Sequence, residues 1–403
     1  MCAYRRTLTF LFFIALIGLF TNSCSQESDE IPTVEDNTNT VEDNTNSDYI
    51  PLTLLGSYEY RDFAQFDIFA DGSVEETSLN AELGLETESL QLSGRVAPPF
   101  ALFYERQIAS DYKIWQKNVV TGAIATIPSF CAQYSNDYLG YDDFGTSGAT
   151  VFGYGRKNDT VLYIDLHKHG ENTCNRIEIP FADDGGRWKT RGAKAYGDYL
   201  VFYASKSSSD TLMESLHVID LNSQIVAHEF FSDQYISGVF IYNNELYISS
   251  GSGGRAYEVY DMGDTSPKRI LELPSGIDYM NILEQPNIHN NLILLQDTPP
   301  QPSLSAAVPM VANIKTGDTV FQIAPDALWD QYETVATEVY PQLSEYDRVV
   351  SFYDYVVDLA SERIGFLYRS TDDKGFIVFT DYDLRLLSFV ELPFHPNSII
   401  LHK

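Results

Sequence analysis

Three patterns of apolar and polar positions follow one another along the chain. Leu8 to Phe20 is a nearly unbroken apolar run, residues 25–49 are almost all polar, and from Leu52 onward short apolar stretches are cut by polar turns. In the third region apolar and polar residues often alternate one for one. That period of two predicts strands with one face buried, and the many Tyr and Phe residues (27 and 24) suit such strands. One phrase recurs: an apolar strand, a short polar turn, a second strand. Its copies include Phe66-Asp-Ile-Phe-Ala-Asp-Gly72, Ile114-Trp-Gln-Lys-Asn-Val-Val-Thr-Gly122, Leu216-His-Val-Ile-Asp-Leu-Asn222 and Val311-Ala-Asn-Ile-Lys-Thr-Gly317. The turns fall at Gly72, Gly122, Gly170, Asn222, Gly263, Gly317 and Asp383, at intervals of 50, 48, 52, 41, 54 and 66 residues.

Units of this length with four strands each predict an all-β fold, a β-propeller. A single blade leaves both faces wet; blades stacked in a ring bury those faces against each other and leave no long open edge. The first unit has room for three strands, roughly Leu52–Tyr60, Phe63–Phe69 and Val74–Leu79, while Ser398–His402 is one strand too many at the other end. Pairing the two closes the ring three-plus-one. The expectation is therefore seven four-stranded blades, with six or eight as alternatives. The 66-residue interval holds a helical pattern: Leu328, Tyr332, Val335, Ala336 and Val339 share one face, Asp326 can cap the start, and Pro341 ends it. One short helical insertion is expected there.

The first two patterns predict an address. Arg5 and Arg6 precede the apolar run, which is shorter than the ~20 residues of a membrane-spanning helix. Thr21, Asn22 and Ser23 lead to Cys24, and acid follows at once in Ser25-Gln-Glu-Ser-Asp-Glu30. A cysteine at that place is what a lipoprotein signal requires, because its sulfur takes the lipid. Acyl chains at ~0.8 kcal/mol per buried CH₂ make an essentially permanent anchor. Leucine usually stands three residues before such a cysteine; here Thr21 does, with Leu19 five before. An ordinary cleaved signal or an uncleaved anchor is the alternative. The organisation read from sequence is a lipoprotein signal peptide over 1–23, a disordered acidic tether over 24–49 and a β-propeller domain over 50–403. The tether contains a duplication, Val34-Glu-Asp-Asn-Thr-Asn-Thr40 then Val41-Glu-Asp-Asn-Thr-Asn-Ser47. Too little apolar surface is present there to offset the entropy of ordering. A flexible coil of this length spans on the order of 25–30 Å, and ~80–90 Å fully extended.

The formal net charge of −31 becomes −33 once residues 1–23, with Arg5 and Arg6 and no acid, are removed. That field disfavours nucleic acid and anionic membrane surfaces as partners, so the expected membrane contact is the lipid anchor alone. Of the four cysteines, Cys131 and Cys174 remain after cleavage and lipidation. An exported protein can join them or bury them as separate thiols; sequence leaves both open.

No motif announces catalysis: GxSxG, GxxxxGK[ST], HExxH, CxxC and an EF-hand loop are all absent from the sequence, and no catalytic residues can be named. Ser249-Ser-Gly-Ser-Gly-Gly254 lies between strands with no helix after it and reads as a turn. His167 and His169 flank Lys168 at a hairpin tip and read as a solvated turn rather than a metal site. Asp142-Asp143, Asp183-Asp184 and Asp372-Asp373 are acid pairs of the kind that suit calcium, though pairs are common in a chain with 57 acids. No other cofactor is implied. The least ordinary stretch is Asp183-Asp-Gly-Gly-Arg187-Trp188-Lys189-Thr-Arg191-Gly-Ala-Lys194, where four cations surround one of three tryptophans. Read as a connection between blades, Arg187, Trp188, Lys189 and Arg191 are candidate ligand-binding residues: indole can stack on a sugar, and arginine can fork onto a carboxylate. The alternative is that the cations pair with nearby acid and Trp188 packs under the loop.

The leader, the acidic residues after Cys24 and the blade pattern together resemble the surface lipoproteins of Bacteroidetes that carry a β-propeller, a group without assigned function. The resemblance implies an outer-membrane, surface-exposed location and an architecture, and it brings no site residues. The function expected is a lipid-anchored binding scaffold for a glycan, peptide or protein partner. The alternatives are a propeller enzyme acting on carbohydrate (glycoside hydrolase or lyase) and a component of an envelope assembly.

Overall fold

Turn chemistry sets the limits of the strands. Asn243-Asn244 and Asn290-Asn291 have positive φ at both positions (50° and 62°, 48° and 66°). This is the primed turn whose twist matches antiparallel strands. At the longer turns an Asx side chain does the folding: Asn313 Oδ1 accepts from the N–H groups of Lys315 and Thr316 at 2.9 and 3.3 Å. Asn118 does the same for Val120 and Thr121, both at 3.0 Å. Each loop then closes on a left-handed glycine, Gly317 (φ 79°) and Gly122 (φ 72°).

The computed structural model describes residues 48–402 except 59–61, 85–89, 93–97, 108–110, 135–139, 172, 183–185, 208–211, 252–254, 265, 275–286, 298–307, 325–326, 328–329, 331–333, 335–350, 370–374 and 395. The expected signal, Cys24 and nearly all of the expected tether lie outside the described residues, as do Asp183-Asp184, Asp372-Asp373 and most of the expected helix at 325–340. Of that helix, Ala327, Asp330 and Thr334 are described and helical, and the Thr334 hydroxyl donates to the Asp330 carbonyl at 2.9 Å.

Asn46–Lys403 forms one unit of seven four-stranded antiparallel sheets. Blade one holds β1 (Leu52–Tyr58), β2 (Asp62–Ile68) and β3 (Val74–Ser78), followed by one helical turn, α1 (Leu79–Glu82). Blade two is β4 (Leu90–Leu92), β5 (Phe100–Arg106), β6 (Tyr112–Asn118) and β7 (Ile124–Ile127). Blade three is β8 (Tyr141–Ser147), β9 (Thr150–Arg156), β10 (Val161–Lys168) and β11 (Cys174–Pro180). Blade four is β12 (Arg187–Tyr196), β13 (Tyr199–Ser207), β14 (Leu212–Asp220) and β15 (Ile225–Ser232). Blade five is β16 (Ile236–Tyr242), β17 (Glu245–Ser250), β18 (Ala256–Asp261) and β19 (Arg269–Glu272). Blade six is β20 (Ile288–His289), β21 (Leu292–Asp297), β22 (Val308–Asn313) and β23 (Thr319–Gln322). Blade seven is β24 (Ser351–Asp358), β25 (Arg363–Arg369), β26 (Gly375–Asp381) and β27 (Leu386–Leu392). The last strand, β28 (Pro396–Leu401), pairs with β1 (Leu52 opposite Leu401, Leu54 opposite Ile399) and completes blade one. The seven-bladed propeller with three-plus-one closure is thus the fold.

The core lies between blades. Val201 and Leu216 of blade four pack with Phe240 and Tyr247 of blade five and Ile293 of blade six, all at most 2% exposed. Middle strands are apolar on both sides, as β26 is over Gly375–Thr380, whereas outer strands such as β3 are mostly exposed. A polar latch backs the closing strand: the Thr53 hydroxyl meets His402 Nε2 at 2.7 Å and donates to the Asp67 carboxylate, which also accepts from Gln65 Nε2 at 2.7 Å.

Candidate functional site

The innermost strands carry a repeated irregularity. In β8 the ladder passes from Tyr141 to Asp143 with no partner residue for Asp142. The same break falls at Arg191 in β12, Ser237 in β16 and Tyr353 in β24. Each of these four stands five positions before the last residue of its strand (Ser147, Tyr196, Tyr242, Asp358). In β28 the break falls at Asn397. A bulge re-aims a side chain out of the pleat, and bulges gather beside functional sites. Here five inner strands bulge four or five positions before their last residue, so the displaced positions share one level of the ring, its mouth.

Around blades three to five the side chains at this mouth form a connected set. The Thr190 hydroxyl donates to the Asp142 carboxylate, joining blade four to blade three. Arg191 is exposed, and its Nε donates to Ser205 Oγ at 2.6 Å. Ser205 lies opposite Glu214 in the ladder. Glu214 is fully buried, and its carboxylate accepts from the Ile236 N–H at the start of blade five. Ser237, next along, donates to Ser249 Oγ at 3.1 Å. Burial pushes the Glu214 carboxyl above its ordinary range, while the Ile236 N–H, the Tyr203 hydroxyl and the Arg191 guanidinium pull the other way. Burial, followed by the Glu214 carboxylate, pushes the Tyr203 hydroxyl far up, so it stays protonated as a donor.

The residues singled out from sequence separate. Arg187–Arg191 is not a loop but the first half of β12, which corrects the reading of a connection on the ring face. Trp188 is 3% exposed and stacks on Phe181 with centroids 3.9 Å apart, so its indole is taken up by the core and is not free to stack on a sugar. Arg187 pairs with Asp159 at 3.2 Å. Lys189 is exposed. Arg191 alone of the four joins the mouth. His167 and His169 are half-buried rather than solvated: His169 bonds Gln116, and His167 Nδ1 lies 3.7 Å from Cys174 Sγ. Cys131 and Cys174 are joined by a disulfide with a Cα separation of 5.4 Å. It ties the link between blades two and three, including the 3₁₀ turn Ala132–Tyr134, to β11. Among the described residues no three of His, Cys, Asp and Glu converge in a way that would hold a metal ion.

A second charged cluster is structural. Asp165 is fully buried and takes a fork from Arg176 (two bonds of 2.6 Å) and the Tyr141 hydroxyl at 2.5 Å. The Arg176 guanidinium lies over the Tyr134 ring at 3.8 Å. Burial, with the Glu178 carboxylate adding to it, pushes the Asp165 carboxyl up to about 7, while the Tyr141 hydroxyl pulls the other way. Glu214, Ser205 and Ser237 gave no signal in sequence, since an acid or serine inside an alternating strand looks like a solvent-face residue. Only Gly192 and Gly238, each just after a bulge, hint that the ladder slips there.

No family model matches the chain, and no curated protein matches it. Solved structures do. A lignostilbene dioxygenase of Pseudomonas brassicacearum is 9% identical over 87% of this chain and 91% of its own, with a TM-score of 0.47. A putative 6-phosphogluconolactonase of Bacteroides fragilis is 12% identical over 88% of this chain and 98% of its own, with a TM-score of 0.43. A structure from a study of two prolyl endopeptidases is 12% identical over 88% of this chain and 52% of its own, with a TM-score of 0.46; this chain therefore spans about half the length of that one. The architecture rests on the sheet topology above, not on these likenesses.

Proposed function

We propose that this protein is a lipid-anchored recognition scaffold of the cell envelope, holding a glycan at the mouth where its inner strands bulge. The observation that carries the reading is the recurrence of the bulge in the inner strands of five blades, four or five positions before the last residue of each. Recurring on the inner strand, it sets a displaced position on five of the seven blades. The side chains on blades three and four favour a sugar. Asp142 is exposed and accepts, and Thr190, partly exposed, both donates and accepts, which is the mixture that vicinal hydroxyls require. The acidic field of the chain argues against nucleic acid as ligand.

The anchor and the location are read from the leader: an apolar run, a cysteine and an acidic stretch, with the polar spacer holding the propeller off the membrane. Mass spectrometry of the mature amino terminus tests this part. Acyl chains on Cys24 are expected, and a bare terminus at another residue refutes it. A glycan and peptide array probed with the protein from Ser25 onward tests the recognition. Retention of a glycan set that Thr190→Ala and Asp142→Asn weaken is expected; retention of peptides alone refutes the sugar reading.

A further inference from the structure

We infer that Arg191 is the anchor for a carboxylate, and that the glycan held at the mouth is an acidic one, built from uronate sugars. The inference rests on the recognition reading above and narrows it. Four observations carry it. The bulge between Thr190 and Gly192 takes Arg191 out of the β12 ladder, and its side chain is exposed while its neighbours Gly192 and Ala193 are buried. Among the described residues Arg191 makes one hydrogen bond, from Nε to Ser205 Oγ at 2.6 Å, which fixes the plane of the guanidinium and leaves its two terminal nitrogens for a ligand. Those nitrogens present the fork that matches a carboxylate. Behind it sits Glu214, buried and held by the Ile236 N–H, close enough for the Arg191 charge to pull its carboxyl down. An arginine placed only for solubility needs no oriented side chain and no buried acid behind it.

The neighbouring side chains decide what else the ligand carries. Asp142, exposed, repels a carboxylate and accepts from hydroxyls, and Thr190, partly exposed, is a neutral donor and acceptor. One acid group at Arg191 and hydroxyls beside it is the pattern of a uronate residue. The net negative charge of the whole chain opposes an anionic ligand at long range. That repulsion is screened over about 8 Å at physiological salt, whereas the fork acts at contact, so the local geometry decides.

The test titrates the protein from Ser25 onward with tetramers of galacturonate, mannuronate and glucuronate, with their methyl esters, and with neutral galactose tetramers. At least one acid tetramer is expected to bind on the order of 10- to 100-fold more tightly than its ester, the worth of a hydrogen-bonded charge. Arg191→Gln should bring the acid down to the level of the ester, with a cooperative melt showing that the variant still folds. Arg191→Lys should recover part of the preference, and Ser205→Ala, which frees the guanidinium to rotate, should lose part of it. Equal binding of acid and ester, or an acid preference that survives Arg191→Gln, overturns the inference and leaves glycan recognition standing. Binding of none of these sugars, with an array that retains no glycan, overturns both.

Discussion

At the scale of single residues, two positions show how much one atom or one proton decides. Gly317 sits at φ 79°, and a Cβ built there would lie 2.2 Å from the Glu272 carbonyl oxygen. Backbone is on both sides of that clash, so neither can give cheaply. Gly317→Ala is expected to cost about 1–3 kcal/mol, read as a lower denaturant midpoint; Gly170→Ala, with no atom within 4 Å of the new Cβ, should cost less despite its similar φ. His217 is 1% exposed, among the rings of Phe181, Phe202 and Phe231. Burial lowers it to about 4, with Glu229 opposing. The neutral ring is therefore favoured in the fold, and between pH ~6.5 and ~4 the unfolded chain binds the extra proton. Stability should fall as pH drops through that window, by on the order of 2–3 kcal/mol from this group. Melting curves at pH 7 and pH 4.5 check it: the drop should be smaller in His217→Phe, and an equal drop in both proteins would remove His217 as a cause.

At the scale of elements, the strands and turns were legible and their faults were not. Alternation located the hairpins because outer strands are wet on one face, and the seven turn positions mark the links from third to outer strand. The bulges escaped notice because the inner strands are buried on both faces beyond the break, so there is no alternation whose change of phase could be read. Trp188 misled for a related reason. Cations on both sides made Arg187–Arg191 look like a solvated loop, whereas in a strand alternate residues face opposite ways, so Trp188 enters the core while Arg187 and Lys189 stay outside. The disulfide belongs to this scale too. Cys131 to Cys174 closes 43 residues and secures the turn that lays Tyr134 over Arg176. Replacing both cysteines with serine is expected to lower stability by about 2–4 kcal/mol, and reducing agent should shift the unfolding midpoint of the natural chain and leave that of the variant unmoved.

At the scale of the whole molecule, stability depends on closure. β28 supplies the inner position of blade one, burying Ile400 completely, and the Thr53–Asp67–His402 latch ties its end to the middle strands. Ending the chain after Leu392 removes that strand and bares the edge of β1. The expected result is loss of the single cooperative transition and growth of aggregates by light scattering. His402→Ala removes one latch bond and should cost about 0.5–1.5 kcal/mol while the ring stays closed. A truncated chain that melts as sharply as the full one would show that closure is dispensable.

The sequence by itself determined the fold class, pointed to seven blades over six or eight, and offered a spare last strand to a first unit one strand short. These are written in periodicity and in local turn chemistry, which act between residues near in the chain. The tertiary structure decided which side chains meet. Arg191, Ser205 and Glu214 are brought together by the register of the first three strands of blade four, bulge included, and Ile236 joins them because blade five packs against that sheet. Such a set depends on strand register and on the packing of one blade against the next, and nothing in the linear order of an alternating strand records them.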